Sequence, residues 1–464
     1  MQGISVVPIY TNFLSVNHQL NVISEFKNKG GLPFNEVLSD EEIMRHLDEI
    51  DYRERIYTPA VTIQALLSQV MDDDQTQQAA VTRVIAATIA EGGQPPSANT
   101  AAYSQARSRL PEGILAELTR DAAKQMGDST PDDWLWRGRR IKLVDGSTIS
   151  MPDTPENQAV YPQPESQKKG LGFPIARIVA VIDYITGVVV DVAIGPYSGK
   201  KTGEHALFRQ LMNMLNAGEL ILGDCYYPSF FLMAALIRMG MDGVFPMHAA
   251  RKQDFRRGKR LGKKDHIAQW KKPAKPDWME QGEYDQFPAE ISVREVAITT
   301  EAKGKRSKTR VLVTTFLDPS DVSKADLVAL YNYRWFVELA LRSIKETLHM
   351  DILRGKTPEM VRKEMWIHLL AYNLIRKVMA QSAFVHNRSV STLSFKLALQ
   401  MIKSFKSAGI LNKDNPGAYA QLLKGIAYKT VGNRPGRHEP RCVKRRPKAF
   451  PRLQTPRASV NRAA

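Results

Sequence analysis

Four polar residues recur along one stretch at a spacing suited to phosphate chemistry: Tyr331, Arg334, Glu338 and Lys345, in DLVALYNYRWFVELALRSIKETLHM. With Tyr331 at zero and about 100° per residue, Arg334 falls near −60°, Glu338 near −20° and Lys345 near −40°, roughly. The stripe therefore occupies an arc of about 60° on a helix spanning Asp326–Met350. Val337, Leu341, Ile344 and Leu348 flank it on one side, Tyr333, Phe336 and Ala340 on the other. A helix this apolar is largely buried, so its polar stripe must face a cleft or a partner. The ordinary alternative is a surface Arg334–Glu338 pair, worth only about a few tenths of a kcal/mol.

Two aspartates supply what one glutamate lacks. Asp145 is expected to end the strand IKLVD, and Asp224 the strand LILGD, each where a strand gives way to a turn. Carboxylates at strand ends converge on one edge of a sheet, and Glu338 on a helix packed across that edge could close the set. Three carboxylates suit Mg²⁺ or Mn²⁺, hard ions that prefer oxygen donors. Two such ions about 3.5–4 Å apart would serve phosphodiester cleavage. Arg334 and Lys345 could hold phosphates beside them. Asp also favours turns, so each aspartate alone would be structural; the combination points to chemistry.

The elements that must position these residues follow from periodicity. From about residue 60 to 127 the pattern is helical, and Pro111 is placed to open Glu112–Met126. From Trp134 it changes to β-branched runs, Ile141–Val144, Ile175–Tyr184 and Val188–Ile194, the last two joined at Ile185-Thr186-Gly187. A helix over Thr202–Leu215, a strand at Leu220–Leu222, a helix over Ser229–Met239 and a strand at Gly243–Met247 complete a mixed α/β sheet. Two further strands, Glu290–Thr300 and Thr309–Phe316, belong to an insertion. The expected organisation is a helical region 1–130, a sheet core 131–248, a basic β-rich insertion 249–318, the Glu338 helix 319–350, a helical region 351–432 and a basic tail 433–464.

Charge indicates the partner. The 464 residues carry 65 Lys and Arg against 48 Asp and Glu, a net +17, which calls for a polyanion. Residues 251–276 hold eleven basic residues interleaved with Trp270, and Trp278 and Tyr284 follow; indole faces can stack on exposed bases. Gly432–Ala464 holds ten Lys and Arg against one Glu, a segment expected to be disordered alone and attracted to phosphate. In the N-terminal helices, Ser104, Arg107 and Arg109 are candidates for reading DNA ends. The loop GPYSGKKT, 195–202, falls one residue short of a nucleotide-binding P-loop, leaving Lys200 and Lys201 as candidate DNA contacts. Two distant cysteines exclude a disulfide scaffold and a Cys-built zinc site, and fit a reducing compartment. No signal peptide and no membrane span are expected.

The motifs together resemble the bacterial DDE transposases of the insertion-sequence-4 type, whose signature is Tyr-(2)-Arg-(3)-Glu-(6)-Lys. It stands unbroken here as Tyr331, Arg334, Glu338 and Lys345, with the two acids in LVDGS (Asp145) and LILGDCYY (Asp224). The resemblance runs from about 130 to 350. It implies an RNase H-like core interrupted by a β-rich insertion, with Asp145, Asp224 and Glu338 holding two Mg²⁺ or Mn²⁺ ions. It also implies that Tyr331, Arg334 and Lys345 contact DNA phosphates, and that an insertion tryptophan such as Trp278 or Trp270 captures a flipped base. Terminal inverted repeats and target DNA would be the substrates, a synaptic homodimer the working assembly, and bacterial nucleoid DNA in the cytoplasm the place of action. A nuclease on the same core, or a non-catalytic DNA-binding derivative, are the other readings.

Overall fold

In the computed structural model, residues 43, 45, 46, 56–90, 92–199, 202–251, 253–300, 308–411 and 416–431 are described. Lys200, Lys201, the basic tail 433–464 and most of the acidic front segment lie outside the described residues.

From residue 56 on, the described residues begin with the helices α1 Pro59–Met71, α2 Gln77–Ala90, α3 Ala101–Arg109 and α4 Glu112–Asp128. The Thr58 hydroxyl caps α1 by accepting from the Val61 N–H, with Pro59 at the first turn. The core follows as β1 Ile141–Ser150, α5 Pro155–Val160, β2 Ile175–Asp183, β3 Val189–Pro196, α6 Glu204–Leu211, β4 Leu220–Leu222, α7 Phe230–Arg238 and β5 Asp242–Pro246. The insertion contains β6 Lys259–Gly262, β7 Asp265–Lys271, α8 Gln281–Asp285, β8 Glu290–Thr300 and β9 Lys308–Thr314. Then come α9 Lys324–Tyr333, α10 Trp335–Arg342, α11 Pro358–Val385, α12 Phe395–Ser407 and α13 Pro416–Tyr428.

Among the described residues nine strands form one sheet in the order β3-β2-β1-β4-β5-β9-β8-β7-β6. β1 runs antiparallel to β2 and parallel to β4, and β4 is parallel to β5. This mixed 3-2-1-4-5 order is the RNase H-like arrangement expected. The segment expected to be an insertion continues the sheet. β9 pairs antiparallel with β5, so its strands extend the core sheet at that edge. Arg294 on β8, 0% exposed, donates to both carboxylate oxygens of Asp265 at 2.8 and 2.6 Å and to the Val322 carbonyl at 2.6 Å. It ties the insertion to the approach to α9.

Strand alternation divides the core into two layers. Leu143, Ile182, Leu220, Leu222 and Val244 face a cluster that also takes Leu67, Leu115, Val337, Leu341 and Leu370. Val144, Val181, Ile221 and Phe245 face another with Leu207, Phe208, Met233 and Leu236 of α6 and α7. The helices before the sheet and those after it thus share one hydrophobic core. Each fully buried Leu or Ile there stabilises the fold by roughly 1.5–3 kcal/mol. On α11, Asn373 brackets the β2–β3 hairpin by accepting from the Val189 N–H and donating to its carbonyl. Among the described residues no helix is long and apolar enough to cross a membrane.

Candidate active site

Asp145 does not end its strand. β1 runs five residues further, to Ser150, because Gly146–Ser150 pair with β2 from Val179 to Ile175. What ends is the pairing with β4: the parallel register Ile141↔Leu220, Lys142↔Ile221 and Leu143↔Leu222 stops there. Asp145 and Asp224 each lie two residues past Leu143↔Leu222, so both stand where the sheet splits open. The two aspartates lie near each other at that edge, by strand divergence at Asp145 and by strand termination at Asp224.

Each aspartate is fixed by a nearby amide. The Gly146 N–H donates to Asp145 Oδ1 at 2.9 Å, and the Tyr226 N–H to Asp224 Oδ1 at 2.8 Å. The second contact is an Asx turn, so Asp224 shapes its own loop as well as offering a carboxylate. Burial, and then the charge of Asp224, push the Asp145 carboxyl up to about 6, against the pull of the Gly146 amide and Arg334. Two ionised carboxylates side by side repel, and such sites favour a cation.

The Glu338 helix departs from a uniform wheel. Its hydrogen bonding breaks at Arg334, which separates α9 from α10 while keeping helical dihedrals (φ −50°, ψ −33°). A π turn over Ser343–Thr347 then widens the last turn. The apolar flank is buried as expected, with Val337, Leu341, Ile344 and Leu348 in the core. Tyr333 stacks on Tyr184 of the β2–β3 hairpin at 4.4 Å between ring centres, and Phe336 meets the same ring edge-on.

Along the stripe, Arg334 donates to Glu338 Oε1 at 3.0 Å, the two side chains being 21% and 33% exposed. The same guanidinium is close enough to Asp145 to lower its pKa. Arg334 therefore bonds Glu338 and also acts on Asp145. Lys345, in the π turn, donates to Ser147 Oγ at 3.0 Å, two residues beyond Asp145. Tyr331 is half-buried, with the Arg310 guanidinium 5.9 Å from its ring centre. Among the described residues no three His, Cys, Asp or Glu side chains lie together as a ready cage for a metal ion.

The protein-family description "Transposase DDE domain" matches residues 136–374, just over half of the chain. The chain belongs to the DDE transposases. This transposase is 27% identical over 372 residues to "Transposase InsG for insertion sequence element IS4" of Escherichia coli (strain K12), covering 77% of this chain and 79% of that protein. It is 34% identical over 96 residues to "Putative transposase InsL for insertion sequence element IS186A" of the same strain, covering 21% and 25% of the two. A solved piggyBac transposase synaptic complex with hairpin DNA overlays 90% of the transposase and 79% of that chain at a TM-score of 0.43 and 11% identity, too loose to bear on any residue. The enzyme cleaves DNA strands and transfers them, and family membership carries a general dependence on divalent metal.

Other candidates are placed differently. Trp270 is 5% exposed, donates to Glu295 Oε1 at 2.9 Å and lies under the Arg251 guanidinium, so it presents no face to a base. Trp278 is half-buried beneath Arg209, 3.7 Å from its ring centre, with Phe231 against its edge. Arg107 is buried beside Tyr103, leaving Arg109 exposed on α3. Sequence reasoning missed Ser147, which accepts from Lys345, and Glu204, whose carboxyl lies against Gly146. The available signal was Gly146 itself, since a lone glycine inside a strand marks close approach of another group.

Proposed function

We propose that Asp145, Asp224 and Glu338 are the catalytic acids of this transposase and hold Mg²⁺ or Mn²⁺, two ions, at the open edge between β1 and β4. The observation that carries this reading is the register: both aspartates lie two residues past the last β1–β4 pair, and Asp145 feels the charge of Asp224. The donor set fits, being hard carboxylate oxygens at an edge where like charges already oppose ionisation. Bound there, the ions would lower the pKa of the attacking water or 3′-hydroxyl and neutralise charge on the leaving oxygen.

The side chains do the rest. Glu338 leaves Arg334 to join the aspartates, and Arg334 turns to a DNA phosphate, exchanging one carboxylate partner for another anion. Lys345, held near Asp145 by Ser147, and Tyr331 position the scissile strand from the same helix. Any DNA contact by Trp278 works by exchange with Arg209. Lys200 and Lys201, the N-terminal region 1–130 and the basic tail 433–464 add affinity for DNA.

The substrates in this reading are the terminal inverted repeats of the element and its target DNA. A synaptic homodimer pairs two ends, in the cytoplasm on nucleoid DNA. Incubation with duplexes ending in those repeats, divalent ion and a target plasmid tests it. Cut ends joined to the plasmid support transposition, whereas cut ends that are never joined would make the enzyme a nuclease.

A further inference from the structure

Between α1, α3 and α11 lies a cavity of about 290 Å³, away from the acids of the cleavage site. Two arginines line it, Arg107 of α3 and Arg354 just before α11, and Thr76 and Gln77 bring the first turn of α2 to its wall. Arg354 is exposed. Arg107 is only 8% exposed, and its Nε is buried with no hydrogen-bond partner.

The polar groups around Arg107 are already engaged elsewhere. Gln69 donates to the Gln75 carbonyl at 2.7 Å and accepts from the Tyr103 hydroxyl at 2.8 Å. Gln75 donates to the carbonyls of Val70 and Leu348, at 3.0 and 3.2 Å. Both oxygens of Glu364 accept backbone amides, from Arg354 at 3.0 and 2.8 Å and from Gly355 at 2.8 Å. Asp74, whose charge is felt by Arg354, accepts from the Thr76 N–H at 3.0 Å. Among the described residues no carboxylate comes within ion-pair distance of the Arg107 guanidinium; Glu364 acts on it only from farther off, and the Tyr103 ring lies 5.6 Å away. Buried polar groups are normally hydrogen-bonded and buried charges paired, so a guanidinium left over in a cavity marks a place for an anion.

We propose that this cavity takes a phosphate group, with Arg107 and Arg354 as its two cationic contacts and the N-terminal end of α2 beside it. Guanidinium groups present paired N–H donors that match phosphate oxygens, and a helix N-terminus adds favourable partial charge. A phosphate of bound DNA and free phosphate offer the same oxyanion. Gln75 reaches the carbonyl of Leu348, ten residues after Glu338, so an occupant touches the N-terminal helices where they meet the end of the Glu338 helix. The inference does not rest on the three acids.

The full-length protein tests it with two probes, inorganic phosphate in calorimetric titration and end duplexes ethylated at single phosphates. For free phosphate, saturable binding to the wild type should weaken about 10-fold in Arg107→Gln and in Arg354→Gln. For DNA, ethylating one particular phosphate should weaken binding by the wild type and make no further difference in either variant. The response of one probe in this way supports the site and identifies the source. If phosphate titrations and ethylation patterns are the same in both variants as in the wild type, the inference is overturned and Arg107 is a structural arginine satisfied by water. Should Arg107→Gln not fold, the exposed Arg354→Gln decides the matter. Wild-type protein that fails to bind the ends at all contradicts the proposed substrate instead, and the phosphate titration then decides this inference alone.

Discussion

Lys345 Nζ lies 3.0 Å from Ser147 Oγ, although 198 residues separate them in the chain. The contact pins the end of the Glu338 helix to the strand that carries Asp145, and it sets the cation beside the acids. In the transposase this lysine is expected to meet a DNA phosphate. Lys345→Ala should weaken binding to the element's ends and reduce the salt slope of binding by about 1. Ser147→Ala keeps the charge and should leave the slope alone. An unchanged slope for Lys345→Ala over a salt titration removes the phosphate role.

Asp145 is a pH-dependent source of instability in the fold. Its carboxyl is raised to about 6, whereas in the unfolded chain it titrates near 3.9, roughly. The folded state therefore holds the proton more tightly, and stability declines as pH rises from about 4 through 6. Above that window the ionised group costs the fold roughly 3 kcal/mol. With chelator present, Asp145→Asn should raise the urea midpoint at pH 7.5 and leave it unchanged near pH 4. Equal midpoints for the two proteins at both pH values would show that the burial and like charge are not felt.

Arg294 tests how the insertion is joined to the core. It is fully buried, with two bonds to Asp265 and one to the Val322 carbonyl. Removing one member of a buried pair leaves an uncompensated charge, so Arg294→Ala should cost roughly 3–5 kcal/mol. Replacing Arg294 and Asp265 together by leucine should recover part of that loss. A midpoint shift below about 1 kcal/mol for Arg294→Ala would mean that water reaches the pair.

Much of this arrangement was legible in the sequence where local pattern and tertiary role agree. The strands Ile175–Asp183 and Glu290–Thr300 are β-branched runs, and the buried flank of the Glu338 helix follows from spacing alone. Asp145-Gly146 misled because Asp and Gly favour turns, while pairing with β2 carries the strand on to Ser150. β6 and β7 were hidden by their charge: KRLGKKDHIAQWK lacks a β-branched run and folds as a hairpin through Lys264 at φ 53°. Its pairing with β8 is tertiary information. The break at Arg334 and the π turn carry no glycine or proline to announce them. The approach of the Glu204 carboxyl to Gly146, 58 positions away in the chain, is likewise tertiary information.

The decisive measurement is end cleavage by Asp145→Asn, Asp224→Asn and Glu338→Gln, with binding to the same ends recorded on the same preparations. Each variant is expected to bind the ends close to normally and to cut nothing at any Mg²⁺ or Mn²⁺ concentration. Cleavage near the wild-type rate by any one of them contradicts the assignment of that acid, and cleavage by all three contradicts the site.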